Sequence, residues 1–201
     1  MDLSRKKAIE RWLNDLNNFS FKDFNNLPEL DLYMEQVMKY LDKQLYIFQT
    51  STDDKQITPS MINNYVKGEV IPAPKAKKYS KEHLAIIQEV CSLKKVLSLD
   101  EIKQIIQTTY KDENKELTYD HFNMINTNKT ANIVSDAFKQ LNDVDDNDEL
   151  ELTNIALEFA ITANCYINIA KRILYYNRTF KLNEEFQKEN EENNNNEERG
   201  E

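Results

Sequence analysis

Only two glycines, Gly68 and Gly200, occur in this chain of 201 residues. Glycine supplies the positive φ that tight hairpins and phosphate-cradling loops require. A β-sandwich, a Rossmann sheet and a P-loop are therefore nearly excluded, and the chain is expected to be all-α. Four prolines leave long stretches free to run as helix. A hydrophobic fraction of 40% with ten tyrosines and nine phenylalanines suffices for a core, because a chain of this size removes roughly 70% of its unfolded surface from water.

The formal net charge is −9, which taken whole argues against a polyanionic partner. The distribution argues otherwise. Between Lys55 and Lys95 eight basic residues face three acidic ones, whereas Val96–Glu201 holds eleven basic and twenty-two acidic. A basic segment of local fold inside an acidic protein is the electrostatic footprint of a phosphate-binding surface. It is equally the footprint of a solvated lysine-rich face, and charge alone does not separate the two.

Apolar spacing places the elements. Ser4 is an N-cap candidate ahead of a helical stripe at Ile9, Trp12, Leu13 and Leu16. Pro28 then opens a helix over Glu29–Gln49, its buried side formed by Leu30, Met34, Val37, Leu41, Leu45 and Phe48. Thr50–Gln56 is polar, aperiodic and expected to be a loop. Thr58-Pro59 caps a short helix that Gly68 and Pro72 close. Gly68–Tyr79, with Pro72, Pro74 and three lysines, is expected as an extended excursion. Ser80 caps a helix to about Val96, and Ser98-Leu99-Asp100-Glu101 is a capping box for the next. Thr118–Asn142 and Asp148–Asn177 are two long helices. The second is apolar on nearly every side, which predicts burial in the centre of the core first and a dimer seam second. From Glu184 the composition is that of a disordered acidic tail. The expected organisation is an N-terminal helix and connector (1–28), a central domain (29–110), a C-terminal helical dimerisation or regulatory part (111–183) and the tail (184–201).

The stretch Ile57-Thr58-Pro59-Ser60-Met61-Ile62-Asn63-Asn64-Tyr65-Val66-Lys67, continuing through Val70-Ile71-Pro72-Ala73-Pro74 to Lys77-Lys78-Tyr79-Ser80, resembles the DNA-reading half of a MerR-type helix-turn-helix. In that family a short helix ending in tyrosine is followed by an apolar pair, a proline, a basic wing and a basic–x–Tyr–Ser start to the next helix. Over about Leu30–Ile106 the chain also resembles a bacterial family of domains of unknown function with the same MerR-like core. It departs from the MerR pattern at Asn63, where arginine is usual, and at Glu69, where glycine is usual. The resemblance implies a MerR-like helix-turn-helix with a short basic wing plus C-terminal long helices.

That reading makes the chain a DNA-binding transcriptional regulator. Thr58, Ser60, Asn63 and Asn64 would offer donors and acceptors to base edges, asparagine being suited to adenine. Tyr65, Lys67, Lys75, Lys77, Lys78 and Tyr79 would meet phosphates. The implied partners are double-stranded DNA and a second copy of the chain through the C-terminal helices. The alternative is a non-enzymatic helical interaction module or adaptor that does not bind DNA.

No catalytic, cofactor-binding or metal-binding residue is assigned. Asp143-Val144-Asp145-Asp146-Asn147-Asp148 begins like a calcium loop, but Asp148 stands where the turn glycine belongs and Asn154 where the bidentate glutamate belongs. An acidic turn capping the next helix is the better account. His83 and His121 lack metal or triad spacing, and His83, beside the basic wing, is expected on the surface. Cys91 and Cys165 fit buried thiols in a reducing compartment. No apolar run follows the N-terminal basic residues, and Ile155–Leu174 is too polar to span a bilayer. The expected location is the cytoplasm.

Overall fold

A computed structural model of the chain describes residues 4–49, 57–111 and 114–198. The expected loop at Thr50–Gln56 lies outside the described residues. Among the described residues the chain is mostly helical: α1 (Arg5–Asn17), α2 (Met34–Leu45), α3 (Pro59–Lys67), α4 (Lys81–Leu93), α5 (Leu99–Thr109), α6 (Lys115–Leu141) and α7 (Glu149–Glu198). Two short strands, β1 (Leu32–Tyr33) and β2 (Lys78–Tyr79), pair antiparallel with Leu32 opposite Tyr79 and Tyr33 opposite Lys78. The chain divides into two units, Met1–Phe159 and Ala160–Glu201. No described helix is long and apolar enough to cross a membrane.

The centre of the first unit is α4. Its sequence His-Leu-Ala-Ile-Ile-Gln-Glu-Val-Cys (83–91) turns no side to solvent, and every one of those residues is buried. A helix without a wet face must be wrapped. Val37, Leu41 and Leu45 of α2, Ile62 and Tyr65 of α3, and Ile102 and Ile106 of α5 complete the core around Leu84, Ile87 and Val90. Each such aliphatic side chain contributes roughly 1.5–3 kcal/mol when fully buried. A second cluster joins Leu13 of α1 and Val134, Ala137 and Leu141 of α6 to Leu152, Ile155 and Phe159 at the start of α7.

Polar contacts hold the irregular parts. The connector after α1 is tied to α6: Asn123 Nδ2 donates to the Phe21 carbonyl at 2.9 Å, and Asp120 Oδ1 accepts the Phe24 N–H at 2.8 Å. The acidic turn before α7 is engaged by α1. Lys6 Nζ donates to the carbonyls of Asn142 and Val144, Lys7 pairs with Asp146, and Arg5 pairs with Glu149. Asp148 Oδ1 accepts the Glu151 N–H at 3.0 Å, which is the capping role expected for this turn.

Several expectations are corrected. The central helix is α4, and α7 leaves Leu157, Ile161, Tyr166, Ile169 and Ile173 exposed. Apolar composition all round marks a helix that needs neighbours, but it does not say that the same chain supplies them. The α7 helix also continues to Glu198, into the stretch read as a disordered tail. Glu, Gln and Lys are good helix formers, and extending a formed helix avoids the nucleation cost that its asparagines alone would not meet. Pro28 does not open α2, whose N-cap is Tyr33; the residues ahead of it pair in β1, leaving Leu30 exposed. Cys165 is exposed rather than buried.

Glu89 is a buried carboxyl in α4 that accepts a hydrogen bond from the Tyr110 hydroxyl. Burial pushes its pKa up to about 7, the Tyr110 bond opposing part of the rise. A folded pKa above the unfolded value of 4.5 means that this group favours the native state below pH 4.5. The advantage is lost as pH rises through 7. Glu89→Gln, which keeps an acceptor for Tyr110 and cannot ionise, is expected to match the parent near pH 4.5. At pH 8 it should exceed the parent by about 2–3 kcal/mol, measured by urea unfolding at both pH values.

Candidate nucleic-acid interface

The nine residues of α3 are set by their two ends. Thr58 Oγ1 accepts the Met61 N–H at 3.2 Å, and Pro59 occupies the first helical position, where its missing N–H costs no bond. At the other end the Glu69 N–H reaches the Val66 carbonyl at 3.0 Å and the Val70 N–H reaches the Tyr65 carbonyl at 2.9 Å. This is a Schellman stop. Its left-handed residue is Glu69 (φ 57°), while Gly68 sits at φ −77°. Gly68 serves a different need: a Cβ there would lie 3.3 Å from both the Asn64 carbonyl oxygen and Leu99 Cδ2.

Between those ends the helix has two faces. Ile62 and Tyr65 enter the core, with Met61 and Val66 half-buried beside them. Ser60, Asn63, Asn64 and Lys67 are exposed on the opposite side, and Thr58 is half-buried as the cap. Three short polar side chains and one lysine thus stand outward from a helix whose inner face is fixed by packing.

The segment after α3 is a tight turn on an anchored base. Val70 and Ile71 are buried in the core, so the chain cannot swing freely. The Lys78 N–H donates to the Lys75 carbonyl at 2.9 Å across Ala76 and Lys77, whose φ values are 48° and 62°. Two positive φ values across one such bond define a turn of the I′ class. The sequence expectation of an extended excursion over Gly68–Tyr79 is corrected here. Pairing of β2 with β1 and the Lys75–Lys78 bridge hold two non-glycine residues in a conformation they would not choose alone. Lys75 and Lys77 are exposed at the tip; Lys78 is half-buried, its Nζ 5.1 Å from the centre of the Tyr33 ring.

Two expected phosphate contacts are corrected. Tyr65 and Tyr79 are core residues, 8% and 3% exposed, and their rings hold α3 and β2 against α4. The pattern that suggests them, a tyrosine ending the short helix and another ahead of Ser80 after two lysines, does not record which face each ring takes. His83 is also not a surface residue. It is buried, its Nδ1 accepts the Ser80 N–H at 3.1 Å, and its ring meets Tyr79 edge-on with centroids 5.7 Å apart. Burial holds its pKa below the usual histidine range. Because Nδ1 is an acceptor, the neutral ring carries its proton on Nε2. His83 therefore fixes the junction between the turn and α4.

The charged groups beside α3 divide into paired and exposed ones. Of the nearby carboxylates, Glu69 is bound by Lys103 at 2.9 Å, a hydrogen bond that lowers its pKa, and Glu82 is bound by Lys115 at 2.8 Å. Lys67, Lys75 and Lys77 remain exposed at the end of α3 and along the turn. Tyr33, which sequence reading did not place here, joins the surface through β1. A two-residue strand is too short to show a period of two, so only the pairing reveals it.

A family model described as a domain of unknown function (DUF1836) matches residues 22–127, slightly more than half of the chain, and the chain belongs to that family. The matched residues take in α2 to α5 and the whole of the α3 surface. No curated protein and no solved structure matches the chain.

The strained turn supplies a stability test. Ala76→Asn with Lys77→Gly installs the residue pair that the I′ geometry favours. It is expected to raise stability by about 1–2 kcal/mol, the scale of the left-handed penalty it removes, in thermal or urea unfolding. An unchanged or lowered midpoint would show that the turn is not held in this form.

Proposed function

We propose that this chain is a DNA-binding transcriptional regulator with a MerR-like helix-turn-helix, α3 lying in the major groove and residues 68–79 acting as the wing along the phosphate backbone. The reading is carried by one observation: the outward face of α3 presents Ser60, Asn63, Asn64 and Lys67 while the adjoining turn presents Lys75 and Lys77. Base-reading chemistry and phosphate-binding chemistry thus sit on consecutive elements of one rigid support. A helix of nine residues is about 13 Å long, comparable to the roughly 12 Å width of the major groove.

The division of labour follows from the side chains. Asn63 and Asn64 each carry an amide able to donate and accept at adenine, and Ser60 can bond to either type of edge. Lys67, Lys75, Lys77 and the partly buried Lys78 neutralise phosphates and set register without reading sequence. Thr58 acts through the cap that aims the helix. The acidic remainder of the chain weakens indiscriminate attachment, since long-range repulsion from a net charge of −9 opposes any contact that these lysines do not offset.

Fluorescence anisotropy with a randomised duplex pool at 50 mM salt is the first experiment. Binding should weaken steeply with salt. Lys75→Ala, Lys77→Ala and Lys78→Ala together should lower affinity for all sequences and flatten the salt slope by about 2–3. Asn64→Ala should cost about 1–3 kcal/mol at the preferred site and relax its sequence. Absence of duplex binding at 50 mM salt would leave the interaction-module reading in its place.

A further inference from the structure

The stop that ends α3 also opens a cleft. Val70 and Ile71 turn inward to the core, whereas Pro72 and Ala73 are exposed. The two prolines of this segment, Pro72 and Pro74, carry no N–H with which to close the gap beneath them. Pro72 and Ala73 line the same cavity, of about 550 Å³, as Ile86 of α4 and Ile106 of α5. That volume lies in the range that holds a small molecule, roughly 300–1,000 Å³. All of its lining belongs to the first unit.

The cleft has an apolar floor and a charged rim. Val70, Ile71, Ile86 and Ile106 form the floor, none more than 4% exposed. On the rim, Glu69 is held by Lys103 and Glu82 by Lys115. Lys75 lines the cleft too, and it is exposed with no ion pair among the described residues. The charge left to bind is therefore positive. A buried donor adds to it. His83, 9% exposed, is part of the wall, and its Nε2, which carries the proton, has no hydrogen-bond partner. The Pro72 and Ala73 carbonyls lie on that side of the ring without closing a bond. A buried N–H left unpaired is uncommon and costly, so an occupant that brings an acceptor relieves it.

We propose that this cleft binds a small organic carboxylate with an aromatic or branched hydrocarbon body, the body on the apolar floor and the carboxylate directed to Lys75 and His83. A cationic ligand would have to displace a lysine from Glu69 or Glu82 and would sit against Lys75. A neutral ligand would meet the floor and His83 but gain nothing from Lys75. The site also bears on the surface described above, because Lys75 is a phosphate contact in the DNA reading. One ammonium cannot serve two anions at full strength, so a bound carboxylate lowers duplex affinity. That consequence alone rests on the DNA reading.

The test is an NMR titration of the isotope-labelled full chain, without DNA, using phenylacetate, its neutral isostere phenylacetamide, and acetate. For a ligand of about ten non-hydrogen atoms the expected Kd is on the order of 1 mM. Phenylacetate should give saturating shifts at the amides of Val70, Ile71, Ala73 and Ile86 and at His83 Nε2. Phenylacetamide should bind about 5-fold more weakly, the scale of one exposed charge pair, and acetate, lacking the body, should not saturate. Lys75→Ala should bind phenylacetate and phenylacetamide alike. No saturable shift at those positions with phenylacetate overturns the site. Equal affinity of the parent chain for acid and amide, or an undiminished preference for the acid in Lys75→Ala, overturns the assignment of a carboxylate. Duplex affinity unmoved by saturating phenylacetate refutes the competition, while a chain that takes up phenylacetate and binds no duplex refutes the DNA reading alone.

Discussion

The main core of the first unit follows from α4 having no wet side. A helix whose residues 83–91 are all buried has to be enclosed by other elements, and α2, α3 and α5 take their positions by covering it. The consequence for α3 is direct. Two of its residues are committed inward, Ile62 and Tyr65, and a nine-residue helix so pinned can show only its other face. What that face can touch is therefore decided by the packing of α4.

The turn between α3 and β2 obeys the same logic at a smaller scale. Glu69, Ala76 and Lys77 all take positive φ, a choice that costs a non-glycine residue about 1–2 kcal/mol. Buried Val70 and Ile71 on one side, and the pairing of β2 with β1 on the other, leave the chain no cheaper path. Charge rides on that scaffold: the lysines at the tip are carried by backbone that burial and pairing hold still.

Much of this was legible in the sequence where local chemistry decides. The caps at Ser4, Thr58 and Ser98 act over three residues, and each accepts the backbone N–H that its position implies. Scarcity of glycine pointed to helices, and the outward set Ser60, Asn63, Asn64 and Lys67 follows once α3 has an apolar side. Legibility failed where the deciding contact is remote. Which of two apolar helices is central depends on what the rest of the chain wraps, so α7 was given the place that α4 holds. His83 read as a surface residue because its partner, the Ser80 backbone, has no sequence signature. The I′ turn was invisible because neither Ala76 nor Lys77 prefers it; only a pairing with Leu32–Tyr33, more than forty residues earlier, imposes it.

The central claim is that the outward face of α3 and the adjoining turn form one contact surface for duplex DNA. Backbone amide shifts recorded by NMR during a titration with duplex measure it residue by residue. The account predicts that the largest changes fall on Ser60, Asn63, Asn64, Lys67 and residues 75–78, with the interior amides of α4 nearly still. Changes confined to α7, or none on α3 at saturating duplex, would contradict it.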